Sequence, residues 1–177
     1  YETQDRIGIY GKAGRTYVTE LWADALKHFE PNYGAEALAA DAEGTLYTMP
    51  EKPLTAGGDF PIYRYRNAVW DQPFALVRKG NWRPVGADFG QDGRLYVLER
   101  DYWGLIGFMS RVRRLTLAGD SIVADELLLE TGAGIHDNLE GLAVWRDGAG
   151  KTRLTMISDD NFLPTQRTEI VDSRVEE

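Results

Sequence analysis

Short apolar runs alternate with polar, glycine-containing turns along this chain, and one such phrase occurs three times. Gly34-Ala35-Glu36-Ala37-Leu38-Ala39 leads through Ala42-Glu43-Gly44 to Thr45-Leu46-Tyr47-Thr48-Met49. Pro84-Val85-Gly86-Ala87-Asp88-Phe89 leads through Gln91-Asp92-Gly93 to Leu95-Tyr96-Val97-Leu98-Glu99-Arg100. Asn138-Leu139-Glu140-Gly141-Leu142-Ala143 leads through Asp147-Gly148-Ala149-Gly150 to Leu154-Thr155-Met156-Ile157. An apolar strand, a turn carrying Asp or Glu with Gly, and an alternating second strand make a hairpin signal. The copies recur roughly every 50 residues, and repeats of about 40–50 residues with several strands each are the mark of propeller blades.

Further hairpins fill the intervals. Residues 61–66 and 73–78 read as strands around a turn near Asp71, and residues 110–117 and 122–129 flank Ala118-Gly119-Asp120. Each phrase plus its following hairpin supplies the four strands of one blade. The expected fold is therefore all-β: a β-propeller segment of about three to four four-stranded antiparallel blades, part of a larger ring. Leu38, Leu46, Leu95, Val97, Leu142, Val144, Leu154 and Met156 are expected between blades. Alternation sets Leu95, Val97 and Glu99 on one face of their strand, and Tyr96, Leu98 and Arg100 on the other. Arg111 and Arg113 read as a solvated face, and Trp70, Trp82, Trp103 and Trp145 as packing anchors, with Trp103 also placed to meet a ligand. Only residues 20–29, where Leu21, Ala25 and Phe29 are spaced by four, suggest a short helix or a loop.

Composition narrows the classes. The 177 residues fit one domain spanning 1–177, with no apolar run long enough to span a membrane. Lys and Arg number 20 against 28 Asp and Glu, and the net charge of −8 disfavours a nucleic-acid partner. The absence of cysteine excludes disulfides and thiol catalysis. The chain starts at Tyr1, and three to four blades do not close a ring. The expectation is thus the C-terminal portion of a larger propeller, its remaining blades supplied by the parent protein or by a second copy.

Carboxylates at the ends of apolar strands need a cation or hydrogen-bond donors. Glu36, Asp88 and Glu140 occupy nearly equivalent places in the three copies and are expected around one mouth. Glu99, Arg100, Asp159, Asp160 and Asn161 lie at the far ends of the second strands, which leaves one polar cluster or two. A hard cation such as Ca²⁺ takes oxygen ligands of this kind, and Glu36, Asn138, Glu140, Asp159 and Asp160 are the expected set. The competing reading makes Asp159, Asp160 and Asn161 turn formers.

Leu98-Glu99-Arg100, Asn138-Leu139-Glu140-Gly141, Ser158-Asp159-Asp160-Asn161-Phe162 and Gln166-Arg167-Thr168, in this order, resemble the phytase-like family described as having esterase-like activity. The likeness runs from about Glu36 to Thr168. It implies a bacterial β-propeller that is periplasmic or secreted, acting on a small-molecule ester or phosphoester. Two departures stand out: Ala37 replaces the glycine that follows Glu140, and Val85 stands where the other copies have Glu.

For phosphoester hydrolysis a cation holds phosphate oxygens and readies a water, while Arg offsets developing charge. Glu140 and Glu36 are the expected catalytic acids, with Arg100 and Arg167 on the phosphate. Ser–His ester chemistry lacks a G-x-S-x-G elbow here, and His136 reads as a solvated loop side chain. The Gly132-Ala133-Gly134 run is a loop with no following Lys-Ser/Thr. A phosphoester or other ester hydrolase leads. The alternatives are a non-catalytic propeller binding module and a gluconolactonase-like, calcium-assisted lactonase using Glu140, Asn161 and Asp160.

Overall fold

The structure is a computed structural model that describes residues 6–11, 14, 16–21, 24, 26 and 34–176. Among these residues the chain forms antiparallel sheets and no α-helix. Strands β1 (Ile7–Tyr10) and β2 (Tyr17–Leu21) pair as a two-stranded sheet. A four-stranded meander follows: β3 (Ala35–Ala40), β4 (Leu46–Pro50), β5 (Phe60–Arg66) and β6 (Val69–Leu76). A second meander contains β7 (Arg83–Phe89), β8 (Leu95–Tyr102), β9 (Phe108–Ala118) and β10 (Ser121–Glu130). A fourth sheet, the third blade, holds β11 (Leu139–Arg146), β12 (Thr152–Ser158) and β13 (Ile170–Arg174). β7 packs against β3 on one side and β11 on the other, so the blades fan outward from their first strands as in a β-propeller.

The repeated hairpins close by one local device. Gly44, Gly93 and Gly150 adopt the left-handed conformation that glycine enters without steric cost. Asp41 accepts from the amides of Glu43 and Thr45, and Asp147 from those of Ala149 and Lys151. In the second blade Gly90 takes the first turn position and Asp92 accepts from the Arg94 amide instead. Such Asp side chains mimic a backbone turn, which is why the same acid-glycine phrase marks each hairpin.

Two apolar layers separate the three blades. Leu95 and Val97 of β8 join Ala37, Met49, Phe60 and Ile62 in the first layer. Tyr96 and Leu98, from the other face of the same strand, join Leu139, Val144, Leu154 and Met156 in the second. A strand covered on both faces reads as a continuous apolar run, as 95–98 does. Truncating fully buried Leu98 to Ala would cost about 2–5 kcal/mol.

Several expectations need correction. Leu38 is 44% exposed, because alternation along β3 turns Ala37 and Ala39 into the core instead. Leu46 and Leu142 are only half-buried. The turn expected near Asp71 falls at Asn67-Ala68, both left-handed, and Asp71 lies within β6 where it pairs with Arg64 at 2.5 Å. Trp103 and Trp145 are exposed, whereas Trp82 is buried against the Arg111 guanidinium, 4.5 Å from its ring centroid. The helical pattern over 20–29 lies largely outside the described residues, and Glu20 and Leu21 end β2. No helix among the described residues is long and apolar enough to cross a membrane.

The row of arginines on β9 is the largest departure. Arg111 and Arg113 are buried, the latter at 1% exposure, around fully buried Glu99. Arg111 Nε donates to Glu99 Oε2 (2.6 Å), and Arg113 Nη1 donates to Glu99 Oε1 (3.2 Å) and to the Val77 carbonyl (3.0 Å). Arg113 Nε also donates to Asp125 (2.9 Å), which pairs with Lys79 (2.7 Å). Acids on the flanking strands β8 and β10 make this burial tolerable, since a buried charge must be paired.

Candidate functional site

Each first strand carries a β-bulge at the same place. Pairing skips between Ala35 and Ala37, between Pro84 and Gly86, and between Leu139 and Gly141. The unpaired residues are Glu36, Val85 and Glu140, so Val85 is the counterpart of the two glutamates. Asp88 lies further along β7, where it accepts from the Val144 amide (2.7 Å) and staples two blades. A bulge bends the strand and re-aims its side chain. Opposite these bulges lie Pro50 and Ser158, the last residues of β4 and β12, and Glu99 in the second half of β8: Pro50 faces Ala35, Glu99 faces Pro84, and Ser158 faces Leu139. The starts of first strands and the ends of second strands therefore share one rim. Glu51, Arg100 and Asp159, one residue further on, are equivalent positions on it.

Arg100 joins three blades across this rim. Its Nη2 donates to Glu51 Oε1 of the first blade (2.9 Å), and its Nη1 to Glu140 Oε1 of the third (2.6 Å) and to Asn138 Oδ1. Asn138 is fully buried and turns its Nδ2 to the same Glu140 oxygen (2.7 Å), while its carbonyl accepts from the Asp159 amide (3.0 Å). Asn138 thus orients both charged groups. Glu140 is held through Oε1 alone, and its Oε2 has no hydrogen-bond partner among the described residues. The carboxylate remains 35% exposed. Arg100 uses three of the five N–H donors a guanidinium carries.

Glu51, Arg100 and Glu140 line a cleft of about 730 Å³. Arg78 and Arg83 bring two further guanidinium groups to its wall, which also carries Glu51, Asp101 and Glu140. Arg83 also approaches Glu51 at 3.5 Å. Asn81, Asn161 and Gln166 add neutral polar groups, and Tyr102, Phe108 and Leu163 an apolar side. The cleft is thus built for a ligand bearing anionic or polar oxygens beside an apolar portion.

Of the residues singled out in the sequence, Arg100, Asn138 and Glu140 come together here. Glu36 is exposed at the first-blade bulge and is not on the cleft wall. Asp159 Oδ1 accepts from the Asn161 amide (2.9 Å) and Asp160 Oδ1 from the Phe162 amide (2.9 Å), with Asp160 Oδ2 taking the Thr168 hydroxyl (3.1 Å). These side chains cap their own turn, and Asp159 meets Asn138 only through the backbone. Arg167 pairs with Glu169 (3.1 Å) outside the cleft. His136 is half-buried beside Glu169 at 3.6 Å, not freely solvated.

Among the described residues, no three acidic or imidazole side chains gather as a metal site. Glu140 Oε1 and Asn138 Oδ1 already face the Arg100 guanidinium, which sits where a calcium ion would have to be. The residues as arranged do not fit that ion.

Glu51, Arg78, Arg83, Tyr102 and Phe108 were not singled out from sequence. Glu51 had a signal: it follows Met49-Pro50 as Arg100 follows Leu98-Glu99 and Asp159 follows Ile157-Ser158.

A comparison with curated proteins found no match. Among solved structures, the GH93 α-L-arabinofuranosidase of Fusarium graminearum in complex with arabinobiose shares the fold at 12% identity, with a TM-score of 0.52, over 84% of this chain and 48% of that one. A Bacteroides caccae protein of unknown function (11% identity, TM-score 0.42, 94% of this chain and 68% of that chain) is a weaker likeness. So is a levansucrase variant of B. megaterium (10%, 0.45, 72% and 40%). The chain spans about half the length of the arabinofuranosidase, and the likeness concerns the fold. A family model gives the more specific result: residues 1–162 match the phytase-like family described by the esterase-like activity of phytase, and the chain belongs to that family.

Proposed function

We propose that the arginine-lined cleft binds an anionic ester, a phosphoester or another ester, and hydrolyses it. The observation that carries this reading is Glu140, held at one oxygen by Arg100 and Asn138 with the other left without a partner on the cleft wall. In this reading Glu140 Oε2 takes a proton from a water, whose oxygen attacks the ester phosphorus or carbon. The two remaining Arg100 donors, with Arg83 and Arg78, offset the charge that develops on the ester oxygens. The bond to the leaving alcohol breaks, and that alcohol takes the proton back from Glu140.

A second reading, a non-catalytic binding module, is favoured by the bridging of Glu51, Arg100 and Glu140 across three blades. In that case the trio is a staple and the cleft only holds its ligand.

Assays of a chromogenic phosphate ester and a chromogenic carboxylic ester, with and without added calcium, separate the two. Glu140→Gln keeps shape and removes the base, so turnover should fall by roughly 100-fold or more at unchanged folding. If wild-type protein turns over neither ester, with or without calcium, yet binds inorganic phosphate, the binding module replaces the hydrolase.

A further inference from the structure

Beside the arginine cleft lies a second chamber of about 510 Å³. The two share Tyr102, Phe108, Leu163 and Gln166 as wall residues, so they adjoin along that wall. Their chemistry differs. On the cleft side the Arg100 guanidinium lies 5.8 Å from the centroid of the Phe108 ring. On the far side Phe108 packs against Tyr102, with centroids 4.9 Å apart, and Leu105 and Leu163 extend the apolar wall. Most polar residues of the chamber are engaged with other groups: Arg167 and His136 with Glu169, Gln166 with Asn161, and Asp137 with the backbone amides of Arg167 and Asn138, while Thr165 is exposed. The apolar wall is open as well, with Leu105 fully exposed, Tyr102 65% exposed and Leu163 50%.

The chamber is held in shape by backbone contact. Gly107 and Gly134 are both left-handed, and a β-carbon on Gly134 would sit 2.6 Å from the Ile106 carbonyl oxygen. The Gly134 amide also donates to the Phe108 carbonyl (2.9 Å). Only glycine permits this approach of the two loops, so the wall exists before any ligand arrives.

We propose that this chamber receives the apolar arm of the ligand, which makes the ligand class an amphiphilic anionic ester. Its charged oxygens lie among Arg78, Arg83 and Arg100, and an alkyl or aryl group lies against Tyr102, Leu105, Phe108 and Leu163. The inference rests on the ester reading of the adjoining cleft.

Calorimetric titration with inorganic phosphate, methyl phosphate and n-hexyl phosphate tests it. A fully buried methylene is worth about fourfold in affinity, so five partly covered ones should make hexyl phosphate bind roughly tenfold tighter than methyl phosphate, or more. Leu105→Ser and Leu163→Ser change side chains that are half or fully exposed, so both should fold. Each should reduce the hexyl-to-methyl ratio toward one. Equal affinity for the two alkyl phosphates in wild-type protein overturns the chamber proposal alone, as does a ratio untouched by both substitutions. Failure of all three anions to bind overturns the ester reading and this inference together.

Discussion

Gly86 in β7 lies so near Glu140 in β11 that a β-carbon at residue 86 would sit 2.7 Å from the Glu140 carbonyl oxygen. The missing side chain therefore fixes how closely the second and third blades approach at the bulge that carries Glu140. Gly86→Ala forces the third-blade backbone outward. Overpacking of this kind costs about 1–3 kcal/mol. Urea unfolding should show that loss, and ligand affinity at the cleft should fall with it because Glu140 moves relative to Arg100.

Arg100→Met removes the cation shared by Glu51 and Glu140. The Glu51 side chain is only 6% exposed, with Arg83 as its remaining cation at 3.5 Å. A partly buried carboxylate that loses its main partner should cost about 1–3 kcal/mol. Arg100→Lys should fall between, since an ammonium is a point charge that cannot span three partners from a planar fork. Chemical denaturation of both variants checks the order.

Acid should weaken the fold through Asp125. The Arg113 guanidinium, against the opposing effect of burial and with Lys79 assisting, pulls its carboxyl from 3.8 to about 2. A depressed folded-state value means the unfolded chain binds the proton more readily. The stability from this group is therefore complete above about pH 4 and is lost as pH falls toward 2, to an extent of about 1–2 kcal/mol. Asp125→Asn should be less stable at neutral pH and should lose less stability over that acid interval, as read by thermal melts at stepped pH.

Ala68 and Asn67 form the β5–β6 turn with φ of 61° and 52°. Left-handed alanine is sterically penalised, and Asn-Gly is the favoured pair for a two-residue hairpin. Ala68→Gly should raise stability by about 0.5–1 kcal/mol after the extra chain entropy of glycine is subtracted. A higher urea midpoint with an unchanged slope would bear this out, and a lower midpoint would contradict it.

The hairpins were legible because their causes are local. Two-residue alternation, an acid one or three residues before a left-handed glycine, and a repeat of one phrase are properties of short segments, so the three first-second strand pairs follow from sequence. The faces of β8 followed as well, with Leu95, Val97 and Glu99 opposite Tyr96, Leu98 and Arg100. Bulges leave no such mark. The repeat itself set Val85 opposite Glu36 and Glu140, but only the skipped pairing, Pro84 with Glu99 and then Gly86 with Leu98, shows that these three residues are bulge residues and that Asp88 lies further along the strand.

Tertiary structure alone decided the partners. Arg100 finds Glu51 and Glu140 because three blades abut along their first strands, which brings together residues 49 and 40 positions apart. Arg111 and Arg113 are buried for the same kind of reason: Glu99 and Asp125 on neighbouring strands supply the charge that water would otherwise screen. Asp159 and Asp160, by contrast, found their partners within their own turn, as adjacent backbone amides were nearer than any distant cation. Segment chemistry chose the strands and turns, and packing between blades chose which charges face one another, because Coulombic partners are set by distance in space and not along the chain.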